Sequence, residues 1–138
     1  MLTIITALAA LACCTAARWY LDRTSRRETE HAGGRIRLRA MRNGGAAFDL
    51  PIRKEALPAV SAAALGMLWT QRRRSPVGVG LALGGGLSNL LERLRRGSVY
   101  DYLQFPKAPG RLKRYVFNLA DLAILLGGLA LALRRKRR

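Results

Sequence analysis

The chain has 138 residues, room for one domain, and half of them are apolar. Lys and Arg number 25 against 8 Asp and Glu, a formal net charge of +17. The apolar residues come in blocks with the arginines between them, the profile of a small polytopic membrane protein and not of a soluble basic domain.

Nucleic acid is excluded by pattern: no helix carries an Arg/Lys stripe with interleaved aromatics, and no DNA- or RNA-binding motif is present. Anionic lipid headgroups are the expected partner of the basic residues. Cys13 and Cys14 are adjacent, a poor geometry for a disulfide, and with His31 alone they make no metal site. They read as small apolar residues facing lipid or a neighbouring helix. No metal or cofactor is expected.

Met1 to Leu21 is the first apolar segment, long enough to span a bilayer core. It lacks the basic start of a cleaved signal peptide, so it reads as a retained helix with Trp19 and Tyr20 as an interfacial anchor. Between Arg35 and Met41 charged and apolar residues alternate, which predicts a strand. Gly33-Gly34 and Asn43-Gly44-Gly45 bound it as turns. Leu57 to Thr70 is a second, short apolar segment, with Pro58 in its first turn and Trp69 near its far end.

Arg72-Arg73-Arg74 makes a tight basic turn before the third segment, Val77 to Leu94. There Gly80, Gly84 and Ser88 are spaced four apart, a small-residue face for close helix packing. Asn89, Glu92 and Arg93 share a second face and predict a polar cluster. Arg95 to Arg114 is a basic loop that holds Asp101 and is made irregular by Pro106, Pro109 and Gly110. Tyr115 to Leu133 is the fourth segment, with Asn118 and Asp121 on one face, and Arg134 to Arg138 is a basic tail. The predicted helices cover residues 1–21, 55–71, 76–95 and 114–133, with a surface β region over 33–50, in a single domain of residues 1–138.

Asp121 organises the rest. An ionisable residue six positions into an apolar run is costly and marks a functional site, unless it is a helix-end carboxylate wetted by headgroups. Asp101, twenty residues earlier, supplies a second carboxylate.

Three stretches in order, Gly85-Gly86-Leu87-Ser88-Asn89-Leu90-Leu91-Glu92-Arg93, Gly97-Ser98-Val99-Tyr100-Asp101-Tyr102 and Phe117-Asn118-Leu119-Ala120-Asp121, resemble signal peptidase II, the bacterial lipoprotein signal peptidase. Asp22-Arg23-Thr24-Ser25-Arg26 and Asn43-Gly44-Gly45-Ala46-Ala47-Phe48 are weaker matches upstream. The resemblance covers nearly the whole chain. It implies a mostly α integral membrane protein, with four transmembrane helices and a small extracytoplasmic β-sheet between helices 1 and 2. It implies an intramembrane aspartyl protease that cuts a diacylglyceryl-modified prolipoprotein just before the lipidated cysteine. Asp101 and Asp121 match the catalytic pair. Asn89, Arg93 and Asn118 match residues that support the pair and the substrate backbone, and Asp22, Arg26 and Asn43 match positions at the rim of the site.

The chain departs from the family pattern at Glu92 for Asp, Arg26 for Lys, Gly44 for Thr, Asp49 for Gly and Tyr102 for Phe, which marks a divergent member. The expected location is the cell (inner) membrane, with the site toward the extracytoplasmic face, in a monomer. Loop charge opposes that topology. The two segments expected outside carry 10 (Arg18 to Lys54) and 7 (Arg93 to Arg114) basic residues, and the inside turn and tail carry 3 and 5. Two alternatives stay open: a catalytically silent relative that binds lipidated precursors, and a small membrane structural or transport protein with Asp121 on an ion path.

Overall fold

A computed structural model describes residues 1–24 and 28–134. In chain order it contains α1 (Leu2–Thr24), β1 (Thr29–His31), β2 (Ile36–Asn43), α2 (Leu57–Thr70), α3 (Pro76–Arg96), β3 (Val99–Gln104), β4 (Val116–Phe117) and α4 (Leu119–Ala132). Arg26, expected at the rim of the site, lies outside the described residues, as does most of the basic tail.

The helices are assembled on α3, whose glycines let two neighbours approach to backbone contact. Along one face Gly80 meets Thr3 and Thr6 of α1, and Gly84 meets Ala7, Ala10 and Leu11. Ser88, next in that stripe, bonds Arg18 of the same helix. The order of these contacts makes α1 and α3 parallel, and the small-residue face is where they pack. On another face Gly78 lies on Gly127 and Gly85 on Ala120 and Ala123, so α4 runs antiparallel. A Cβ added at Gly84 would collide with the Ala7 carbonyl and stand 2.6 Å from Ala10 Cβ. Only glycine admits that approach. Cys14, buried, packs with Ala120 and Ala123 where α1 reaches α4, while Cys13 is exposed.

Helix α2 is held differently. Leu57 is its only buried residue. Val60, Met67 and Trp69 stand exposed, as do Leu2, Ile4, Ile5 and Leu8 of α1 and Leu125, Leu126 and Leu129 of α4. Among the described helices only α1 is both long and apolar enough to cross a membrane; α2 and α4 are shorter apolar helices of 14 residues each. At 1.5 Å per residue those are each ~21 Å long, against a hydrocarbon core of ~30 Å.

Four strands form one antiparallel sheet in the order β1-β2-β3-β4. The alternating run from Arg35 to Met41 lies largely within β2, as its pattern predicts. The sheet is not confined to the segment between the first two helices, however. Two of its strands come from between α3 and α4, and Asp101 stands on β3 and not in an irregular loop. The physical reason is legible afterwards. Val99 to Gln104 is rich in β-branched and aromatic residues, and it lies between Gly97, whose φ of 69° ends α3, and Pro106. Val99, Tyr100, Asp101 and Tyr102 are all buried, so both faces of the strand are covered and no alternation betrays it. A register shift between Leu38 and Met41 sets Met41 opposite Asp101.

The fourth helix also differs from its expected bounds of 114–133. It begins at Leu119, because Val116 and Phe117 are spent on β4 and Asn118 caps the helix. Asn118 and Asp121 therefore do not share a helix face. Asn118 precedes the helix and Asp121 is its third residue.

Candidate active site

Helix α4 starts with a capping box, and that local motif builds half of the site. Asn118 Oδ1 accepts the Asp121 N–H at 3.0 Å, and Asp121 Oδ2 accepts the Asn118 N–H at 2.9 Å. The carboxylate is thus placed at the positive end of the helix, where negative charge is favoured. The Tyr102 hydroxyl accepts the Leu119 N–H at 3.0 Å, which satisfies another helix-start donor. This is the hydroxyl by which Tyr102 differs from the Phe of the family pattern.

Strand β3 carries Asp101 to the same place. Asn118 Nδ2 donates to Asp101 Oδ1 at 2.8 Å and to Asn89 Oδ1 at 3.1 Å, and Asn89 Nδ2 donates to Asp121 Oδ1 at 3.0 Å. Two amides thus link two carboxylates from a strand, two helices and a cap. Asp101 is 5 % exposed and Asn118 1 %. Burial first, and then the charge of Asp121, push the Asp101 carboxyl up to about 6, against the opposing amides of Asn118 and Asn43.

The pair borders a cavity of about 330 Å³. Its apolar wall includes Leu57, Val60 and Leu65 of α2 and Ile124 of α4, and its polar end holds Asn43, Asn89, Arg93, Asp101 and Asp121. A second, more polar cavity of about 490 Å³ also reaches Asp101 and is bordered by Arg111 and Arg114. Phe48, held at φ 56°, lines both and packs edge-on against Tyr115 with ring centroids 5.2 Å apart. Among the described residues, no three His, Cys, Asp or Glu side chains gather as metal ligands.

The other expected site residues fall around this centre. Arg93 Nη2 donates to the Gly45 carbonyl at 3.2 Å, tying α3 to the turn after β2, and does not bond either aspartate. Asn43 ends β2, and its Oδ1 accepts the Gly45 N–H at 2.9 Å to turn the chain. Asp22 lies outside the centre, paired with Arg96 at 3.2 Å and Arg42 at 3.5 Å. Glu92 was expected in one cluster with Asn89 and Arg93. It turns instead to Arg96 and Arg42, at 3.6 and 3.9 Å.

Sequence reasoning missed Arg18. It was counted among the loop charges, yet it is 6 % exposed and donates to Ser88 and to Asn89 Oδ1. The signal was present: the argument that singles out Asp121, an ionisable group in an apolar run, applies equally to Arg18.

A family model described as signal peptidase (SPase) II matches residues 3–135. The lipoprotein signal peptidase of Nitrobacter hamburgensis is 39 % identical over 90 residues, which cover 60 % of this chain and 55 % of that protein. That of Halothermothrix orenii is 36 % identical over 103 residues, 70 % of this chain and 67 % of that one. That of Streptomyces coelicolor is 34 % identical over 116 residues, 75 % of this chain and 54 % of that one. The chain therefore spans between about half and two thirds of the length of these relatives. A solved structure described as a bacterial membrane enzyme superposes with a TM-score of 0.80 at 18 % identity, covering 95 % of this chain and 90 % of that one, and shares the fold.

Proposed function

The chain belongs to the signal peptidase II family, and from that membership we propose that it is a membrane-embedded aspartic endopeptidase acting on diacylglyceryl-modified prolipoproteins. It cuts the peptide bond just before the lipidated cysteine. The observation that carries this reading is the linkage of Asp101 and Asp121 through Asn118 and Asn89 at the wall of the cavity.

One carboxylate takes a proton from a water, whose oxygen attacks the scissile carbonyl. The other donates a proton to the carbonyl oxygen. Collapse of the tetrahedral intermediate breaks the C–N bond, and the proton passes to the departing amine of the cysteine. Two carboxylates in one site divide these roles because they do not both ionise readily, and they titrate as a unit. The rise of the Asp101 carboxyl to about 6 means that the pair keeps a proton closer to neutrality than a free carboxylate does.

The apolar wall made by α2, α3 and α4 receives the end of the signal peptide, and the diacylglyceryl chains stay in lipid. All four helices lie in the membrane; the exposed Leu, Ile, Val and Met residues of α1, α2 and α4 form the surface that lipid covers. The sheet lies on the extracytoplasmic side of the cell membrane, in a monomer. Two of the 17 basic residues that opposed this topology are accounted for inside the protein, Arg18 buried against α3 and Arg93 at the cavity, and Arg37, Arg39, Arg42 and Arg96 are paired with acids. Arg72, Arg73 and Arg74 meet anionic headgroups on the inner face.

The test is cleavage of a diacylglyceryl-modified prolipoprotein by the purified protein in detergent, beside Asp101→Asn and Asp121→Asn. Cleavage lost in both variants and absent for an unlipidated precursor is the expected result. Cleavage that survives either substitution sinks the carboxylate pair, and a folded wild type that binds the precursor uncut is a silent relative.

A further inference from the structure

Arg18 lies in α1, makes no hydrogen bond to either carboxylate, and is close enough to Asp101 for its charge to oppose that carboxyl's upward shift. Its hydrogen bonds run to neutral oxygens: Nη1 to Ser88 Oγ at 3.0 Å and to the Ser88 carbonyl at 3.3 Å, and Nη2 to Asn89 Oδ1 at 2.9 Å. A cation on an apolar helix, bonded to neutral partners, is an unfavourable way merely to join two helices that already meet through Gly80 and Gly84.

The consequence lies one bond further on. The two ends of the Asn89 amide have nearly the same shape, and only their partners distinguish oxygen from nitrogen. Oδ1 receives Arg18 Nη2 and Asn118 Nδ2, at 2.9 and 3.1 Å, while Nδ2 donates to Asp121 Oδ1 at 3.0 Å. Turning the amide over would set NH₂ against two donors and an oxygen against the carboxylate. A guanidinium offers donors and no acceptor, so it never permits the turned-over form.

We propose that Arg18 is a positioning residue: its guanidinium holds the Asn89 amide in the one orientation that donates to Asp121, and through it sets the geometry of the pair. The role rests on the proteolytic reading. Arg18 touches neither carboxylate through a hydrogen bond; it acts through Asn89.

The experiment compares steady-state cleavage of the lipidated precursor by wild type, Arg18→Met, Arg18→Lys, Ser88→Ala, Asn89→Ala and the double variant Arg18→Met/Asn89→Ala. Arg18→Met is expected to lower kcat roughly 100-fold with KM changed less than about twofold, as befits a group that orients catalytic residues and does not bind substrate. Arg18→Lys, which restores charge and one donor, recovers about tenfold. Ser88→Ala, which removes an anchor of Arg18 that does not lead to Asp121, loses much less than Arg18→Met. In the Asn89→Ala background, Arg18→Met has no further effect on kcat.

Wild-type kcat in folded Arg18→Met, or an equal loss in both backgrounds, overturns the proposal and leaves Arg18 as a tie between α1 and α3. If Arg18→Met does not fold, Arg18→Lys decides in the same way, by whether its loss of kcat disappears once Asn89 is Ala. A wild type that cuts no lipidated precursor removes the proteolytic reading and this role with it. That outcome is distinct from a wild type that cuts and an Arg18→Met that cuts equally well.

Discussion

Helices α3 and α2 border the same cavity and are held in opposite ways. Helix α3 buries nine residues, four of them glycines, and its neighbours press backbone against backbone. Helix α2 buries Leu57 alone, and a Cβ added at its Gly66 would meet nothing within 4 Å. The first helix carries Asn89 and faces the strand and cap that carry Asp101 and Asn118; the second supplies apolar cavity wall. The contrast divides the molecule by task. Groups that meet at hydrogen-bond distance stand on the close-packed elements, whereas the wall assigned to the peptide in the proposed reading is the least constrained.

The comparison is tested most severely at Gly84. Gly84→Val forces two helices apart against backbone atoms that cannot yield, and the expected cost is about 3 kcal/mol or more, seen as loss of the folded protein in thermal unfolding in detergent. A variant that unfolds at the wild-type temperature would mean that the α1–α3 seam is not close-packed.

Asn118→Ala removes the cap of α4 and the donor to Asp101 together. The cap accounts for about 1–2 kcal/mol of stability. A fall in kcat beyond about tenfold is expected as well, because Asp101 loses its donor directly and Asn89, which donates to Asp121, loses one of the bonds that hold it. Calorimetry and cleavage kinetics on one preparation separate the two effects.

Asp101 offers a pH test of the same region. Its carboxyl is raised from 3.8 to about 6, so the folded state holds this proton more tightly than the unfolded state does. The sign follows: stability from this group is full below about 4, falls as pH rises toward 6, and is constant above. Asp101→Asn abolishes that loss and is expected to be more stable than wild type at pH 8, by at most about 3 kcal/mol. The two proteins should unfold alike below pH 4. A greater advantage of the Asn variant at low pH than at high pH would contradict the burial of this carboxylate.

The smallest effect belongs to α2. Gly66→Ala meets open space, and the better helix former is expected to add up to about 1 kcal/mol without changing kcat. A large destabilisation there would erase the distinction between the two helices.

How much of this was legible before the coordinates differs from residue to residue. The apolar blocks and the Gly80–Gly84–Ser88 stripe were readable because each obeys a local period. Strand β2 was readable because charged and apolar residues alternate along Arg35 to Met41, although its burial does not alternate. Strand β3 was not, because burial on both faces erases the alternation. The start of α4 was misjudged because Tyr115 to Phe117 is as apolar as the helix itself. Only the pairing of Leu103 with Phe117 and of Gln104 with Val116 shows that the chain is still in the sheet.

By itself, the sequence determined the kind of protein and the residues proposed for its chemistry. Apolar blocks between basic loops set the membrane class, and two aspartates with Asn89 and Asn118 in a fixed order set the family resemblance, because neither depends on where the chain goes. Tertiary structure alone decided which groups meet. Asn118 reaches Asp101 across 17 residues, Asn89 reaches Asp121 across 32, and Arg18 reaches Asn89 across 71. Hydrogen bonds of about 3 Å between such distant positions depend on how closely the glycine faces let the helices approach and on where the sheet ends. Those distances are set by the packing of the whole chain, and no local period records them.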